Sequence, residues 1–189
     1  MRAIQVDRAG TTLTALVRDG EGPPLVLVPG VMADAGSWLP VVEHIRLPNP
    51  VVVVNRRGRT PSGPLGEDYS VRTEVADLDR FLDELGTGSH LFGWSYGGLI
   101  AVETAVARPD LRSLTLYEPV AAPFAAEHVV PLRAATARGD LDRAVEIVNR
   151  DVSGFSAGYV EDLRRSPAWQ PLVRLAAPLA EELAAINAH

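Results

Sequence analysis

Cysteine is absent from the 189 residues, and so is lysine: all 18 basic side chains are arginine. The first absence excludes disulfides, thiolate metal sites and a cysteine nucleophile. The second excludes a lysine nucleophile or Schiff base. Basic residues are outnumbered, with a formal net charge of −6, and the arginines are scattered, so no basic face is available for nucleic acid. No apolar run is long enough to span a membrane, and Met1 to Val6 carries no signal-peptide core. A cytoplasmic protein with no membrane partner is the expectation. What remains is a chain of 47% hydrophobic and 22% charged residues, the composition of a globular domain long enough to bury a core.

Short apolar runs alternate with helical patterns. Ile4 and Val6, a turn at Ala9-Gly10, then Leu13, Ala15 and Val17 predict a β-hairpin. Leu25–Val28 and Val51–Val54 are apolar on both faces and too short for helices, as strands buried from both sides of a parallel sheet are. Ser70 is placed to cap a helix whose stripe is Val71, Val75, Leu78, Phe81, Leu82 and Leu85, with Gly86 as terminator. His90-Leu91-Phe92 predicts another strand, a helix follows from about Gly97 until Pro109 stops it, and Leu114–Tyr117 predicts one more strand. This alternation predicts an α/β fold with a doubly wound, mostly parallel sheet over residues 1–119. After Pro119 strands disappear. Helical patterns near 127–137, 141–151, 159–165 and 169–187, the last bent by Pro178, predict a helical lid or cap over residues 120–189.

The strongest chemical signal is Gly93-Trp94-Ser95-Tyr96-Gly97-Gly98. A serine at a sharp strand-to-helix turn needs small residues two positions to either side, where Cβ atoms would collide. Such a turn lifts the hydroxyl above the sheet at a helix N-terminus, whose dipole favours developing negative charge. The motif has a predicted strand before it and a helix after it. Its bland alternative is a glycine-rich strand–helix turn holding an ordinary serine.

With these residues in place the chain resembles the α/β-hydrolase superfamily, in particular bacterial serine hydrolases with a short helical lid. Three further stretches carry the resemblance: Val28-Pro29-Gly30-Val31-Met32 followed by Trp38, Asn55 to Gly63, and Leu116-Tyr117-Glu118-Pro119. Pro29 stands where the family has histidine, Asn55 where it has aspartate, and Thr60 where it has a second glycine. The resemblance implies Ser95 as nucleophile, with an oxyanion hole built from the backbone N–H of Tyr96 and that of Val31, or of Met32 instead. It implies no metal and no cofactor.

A serine needs a base, itself oriented by an acid, and in this family the order is nucleophile, acid, histidine. Only His128 and His189 follow Ser95, and neither follows an apolar strand. Glu118 stands where some members carry the acid; its bland alternative is a structural residue at a strand end. The resemblance therefore implies that the final strands, the usual acid and the histidine lie outside this sequence. Ser113–Tyr117 would then be an apolar sheet edge, covered by a complementary C-terminal fragment or a second copy. Two functions stay open: hydrolysis of an ester, thioester, lactone or amide through acyl-Ser95, or a noncatalytic module of the same fold that binds a ligand or partner. Phe155 and Trp169 in the helical part favour a small hydrophobic substrate. A nucleotide-binding reading fails, because Pro29-Gly30-Val31 follows the first parallel strand in place of a phosphate loop.

Overall fold

The all-valine run predicted as a buried strand takes the centre of the sheet in a computed structural model that describes residues 1–8, 10–86 and 88–189. Six strands, β1 (Arg2–Arg8), β2 (Thr11–Arg18), β3 (Leu25–Val28), β4 (Val51–Asn55), β5 (His90–Trp94) and β6 (Ser113–Tyr117), lie in the order β1-β2-β4-β3-β5-β6. The β1–β2 and β2–β4 pairs are antiparallel, and β4, β3, β5 and β6 run parallel. All five residues of β4 are buried, which is what an apolar run covered on both faces requires. Of the hairpin turn, Gly10 has φ 76°, while Ala9 lies outside the described residues.

Alternation along the strands divides the two faces. Leu27, Val51 and Val53 pack with Val42 from α1 (Leu39–His44), and Trp38 and Phe92 close against this cluster. The opposite face is covered by α2 (Val71–Leu85) and α3 (Tyr96–Ala107), which also pack on each other. The Ser70 hydroxyl accepts from Thr73 N–H at 3.3 Å, and Gly86 ends α2 with φ 84°, as the capping pattern predicts. Leu78, Phe81 and Leu82 of its stripe are buried, each contributing about 1.5–3 kcal/mol by leaving water. The sequence pattern did not single out α1, a helix of six residues with Pro in its first turn and only Val42 buried.

The chain separates into two compact units, Met1–Ala121 and Ala122–His189, two residues beyond the expected boundary. The second holds helices and no strand among its described residues: α4 (Val129–Ala137), α5 (Leu141–Glu146), α6 (Ala157–Arg165), α7 (Trp169–Arg174) and α8 (Leu179–Asn187). A π-helical turn over Ile147–Val152 continues α5, and the long C-terminal helical pattern breaks before Pro178 into α7 and α8. Trp169 is buried in this unit, its Nε1–H donating to Asp142 at 2.6 Å, so it serves as core rather than pocket lining. No helix among the described residues is long and apolar enough to cross a membrane.

Candidate active site

Three neighbouring parallel strands, β3, β5 and β6, each lead into a residue with left-handed backbone at their carboxyl ends. Met32, Ser95 and Glu118 have φ of 50°, 53° and 46°. A side chain in that region costs about 1–3 kcal/mol and persists only where its surroundings enforce it. The resemblance names Ser95, Glu118 and, as the alternative to Val31, Met32 among its candidate residues.

Ser95 joins β5 to α3 with φ 53° and ψ −122°. Its N–H donates to Tyr117 O at 3.0 Å, and its carbonyl accepts from Gly98, Leu99 and Val120 N–H at 2.8, 3.2 and 3.3 Å. The turn is therefore held from the helix on one side and from the end of β6 on the other. A Cβ on Gly97 would lie 2.1 Å from Val28 O, and one on Gly93 would lie 2.7 Å from Ala101 Cβ. The glycines two residues either side of Ser95 are thus demanded by contact, as the sequence predicts. Tyr96 opens α3, where the first-turn N–H groups have no acceptor within the helix.

The loop Pro29–Ala35 runs beside Ser95: a Cβ on Gly30 would sit 3.0 Å from Ser95 Cβ and 3.5 Å from its Oγ. Three residues that follow or end β4 grip this loop. Asn55 Oδ1 accepts from Ala35 N–H at 2.7 Å while its Nδ2 donates to Thr14 Oγ1 at 3.0 Å. Arg56 donates to the carbonyls of Pro29 and Gly30, each at 3.0 Å. Arg59, fully buried, donates to Ala33 O at 3.3 Å. The reach of Asn55 and the arginines to the loop was not visible in sequence, because their acceptors are backbone carbonyls and amides that carry no side-chain signature.

Below these contacts lies a charged core. Arg56 and Glu74 pair at 2.7 Å with 2% of each side chain exposed, and Arg57 makes a fork onto Asp77 at 2.6 and 2.8 Å. The hydrogen bonds to Asp77 outweigh burial and raise the Arg57 guanidinium above its ordinary value. Through Arg56 the first pair is joined to the Pro29 and Gly30 carbonyls of the loop beside Ser95.

The remaining candidates spread out. Glu118 is exposed and lies one residue past the carbonyl that receives Ser95 N–H. His44 Nδ1 lies 2.7 Å from Pro40 O and His90 Nδ1 lies 2.8 Å from Ser113 Oγ, engaging both histidines of the first unit away from the elbow. His128, 3.7 Å from Glu127, and His189 belong to the second unit. No cluster of histidine, aspartate or glutamate suited to a metal ion occurs among the described residues.

Comparison with known proteins gives a consistent picture. The pattern that defines the Alpha/beta hydrolase family matches residues 25–188. An N-formylmaleamate deformylase of Pseudomonas putida is 36% identical over 104 residues, covering 53% of this chain and 38% of the relative. A pimeloyl-[acyl-carrier protein] methyl ester esterase of Aliivibrio salmonicida is 34% identical over 113 residues, covering 58% of this chain and 40% of the relative. These matches thus span well under half of the curated relatives' own length. The crystal structure of an alpha/beta hydrolase from Sphaerobacter thermophilus superposes with a TM-score of 0.85 at 26% identity, over 97% of this chain and 73% of that one.

Proposed function

Given that the chain belongs to the alpha/beta hydrolase family, we propose that it carries the nucleophile of a serine hydrolase and cleaves an ester, thioester, lactone or amide through an acyl group on Ser95. Relatives of the chain are hydrolases, which supports hydrolysis in general. The observation that carries the finer reading is the strained turn at Ser95, held by Tyr117 and Val120 and flanked by glycines that no other residue could replace. A binding module has no use for that strain.

In this reading the Ser95 hydroxyl attacks the acyl carbon, and its proton passes to a histidine base. The tetrahedral oxyanion is met by the N–H groups of Tyr96 and Val31, with Met32 as the alternative to Val31. The leaving group then departs with a proton from the base, and water releases the acyl group by the reverse sequence. The steps need neither metal nor cofactor. Glu118 is the candidate acid, set beside the elbow by the hydrogen bond from Ser95 to Tyr117. The base comes from a complementary C-terminal segment that pairs with β6. Among the described residues β6 pairs with β5 alone, and all five of its residues are exposed. The substrate in this reading is small and hydrophobic, as the apolar composition of the helical part favours.

The test is turnover of a p-nitrophenyl ester by the chain alone and with such a segment added. Removing the base from a serine hydrolase costs about 10⁶ in turnover, or ~8 kcal/mol. The chain alone is therefore expected to be nearly inactive, the completed protein active, and Ser95→Ala inactive in both. Activity in the completed protein that survives Ser95→Ala would falsify the acyl-serine reading. Full turnover by the chain alone, lost on Ser95→Ala, would instead place the base within these residues.

A further inference from the structure

One buried guanidinium touches both halves of the candidate oxyanion hole. Arg56 Nε donates to Pro29 O and Nη2 to Gly30 O, each at 3.0 Å, and its Cζ stands 4.8 Å from the centre of the Tyr96 ring. The Gly30 carbonyl and the Val31 N–H belong to one planar trans peptide and point in opposite directions. Fixing that carbonyl on Arg56 therefore fixes where the Val31 N–H is aimed. Stacking on the ring fixes the residue that carries the other N–H.

The guanidinium is itself held. Its Nη1 donates to Glu74 Oε1 at 2.7 Å, and the Tyr69 hydroxyl donates to the same oxygen at 2.7 Å. With its proton committed to Glu74, the Tyr69 oxygen accepts from the Tyr96 hydroxyl 3.1 Å away. A closed circuit results, from the Gly30 peptide through Arg56, Glu74 and Tyr69 to Tyr96, and every side chain in it belongs to the first unit.

We propose that Arg56 is a positioning residue that sets the spacing between the Val31 and Tyr96 amides, with Glu74 and Tyr69 fixing it in place. This rests on the acyl-serine reading only in calling those amides oxyanion donors. Lysine cannot reproduce the function: one ammonium lacks the planar fork that serves two carbonyls and a carboxylate while lying on a ring.

The experiment is ¹⁵N relaxation on the full chain, comparing the natural protein with Arg56→Lys and Tyr69→Phe. Arg56→Ala is avoided because it removes the buried cation bonded to Glu74. In the natural chain the Val31 and Tyr96 amides are expected at order parameters of about 0.85. Arg56→Lys should bring both below about 0.6, with Val53 and Leu82 unchanged. Tyr69→Phe, a milder change, should loosen Tyr96 and leave Val31 rigid. Unchanged Val31 and Tyr96 in Arg56→Lys overturns the proposal, and so does a loosening that spreads equally through β3 and β4, which marks a merely structural role. Should Arg56→Lys not fold, a Tyr69→Phe spectrum with Tyr96 still rigid overturns it alone. In the completed protein Arg56→Lys should lower kcat about 10²-fold with KM within about twofold. If the amides loosen as expected while the natural protein cleaves no acyl substrate, the hydrolase reading falls and the positioning stands. If turnover is present and the amides are indifferent to Arg56, the positioning falls and the hydrolase stands.

Discussion

A β-carbon at Gly97 and one at Gly86 have opposite consequences, although both are glycines beside a helix end. The first would meet Val28 O at 2.1 Å and Pro29 O at 2.5 Å, both backbone atoms that cannot move aside. Gly97→Ala should cost about 3 kcal/mol or more, or prevent folding. Gly86 has nothing within 4 Å of the added carbon, but its φ 84° and ψ −179° lie in a region nearly reserved for glycine, so Gly86→Ala should cost backbone strain alone, about 1–3 kcal/mol. Urea midpoints of the two variants check the contrast. The reverse substitution probes the strained non-glycine residues. Glu118 has φ 46° and is exposed. Glu118→Gly should leave stability unchanged or raise it by about 1 kcal/mol, the relief of strain offset by a freer unfolded chain. If Glu118 orients the base, the same variant should lose activity in the completed protein. A Glu118→Gly variant that is more stable and fully active would remove it from the mechanism.

At the scale of elements, arginine does the joining that lysine shares in other proteins. Arg108 at the end of α3 binds Asp79 and Asp83 of α2 and its own neighbour Asp110. Burial alone would lower its pKa, but the bonds to Asp83, Asp110 and Asp79 prevail and raise it. The three carboxylates are partly exposed and can turn to water when the arginine is lost, so Arg108→Ala should cost only about 1–2 kcal/mol. In the second unit Arg133 on α4 meets Glu181 on α8 through two bonds of 2.9 Å. Hydrogen bonding from Arg133 holds the Glu181 pKa below the usual carboxylate value. A carboxylate with a depressed folded pKa contributes stability that is whole above its unfolded pKa, about 4.3. That contribution is lost as pH falls through the folded value. Carboxyl ¹³C titration should therefore show the Glu181 pKa rising in Arg133→Ala, and the variant's stability should fall less steeply below pH about 4.3.

These elements differ in how plainly the sequence announces them. Ser70, the stripe from Val71 to Leu85 and Gly86 mark α2 because caps and periodicity are local. The glycines around Ser95 mark the turn because their need arises within a few residues. The break before Pro178 was legible only as a bend, since the Leu172–Ile186 stripe continues across it. Nothing local reveals that Asn55, Arg56 and Arg59 hold the Pro29–Ala35 loop. That contact exists because β4 lies beside β3 in the sheet, a pairing set by the whole fold.

At the scale of the molecule the sheet margin at β6 governs behaviour in solution. Leu114 and Leu116 are each 37% exposed and Tyr117 58%, an apolar strand with one bonded neighbour among the described residues. Such a margin recruits another strand. The chain alone should dimerise with rising concentration in sedimentation velocity, and Thr115→Lys should shift it toward monomer. A concentration-independent monomer whose β6 amides exchange as fast as a loop's would count against any strand being recruited there.

The strand order also bears on how the molecule can be handled. The sequence contains no lysine, so a protein made as residues 1–189 carries one primary amine, the terminal one on Met1, a residue 55% exposed. Met1 precedes β1, which lies at the margin of the sheet opposite β6. An amine-reactive support therefore captures every molecule through one atom, on the side away from β6. At sparse coverage, chains tethered in this way do not reach one another, and each leaves its β6 margin open to whatever is passed over the surface.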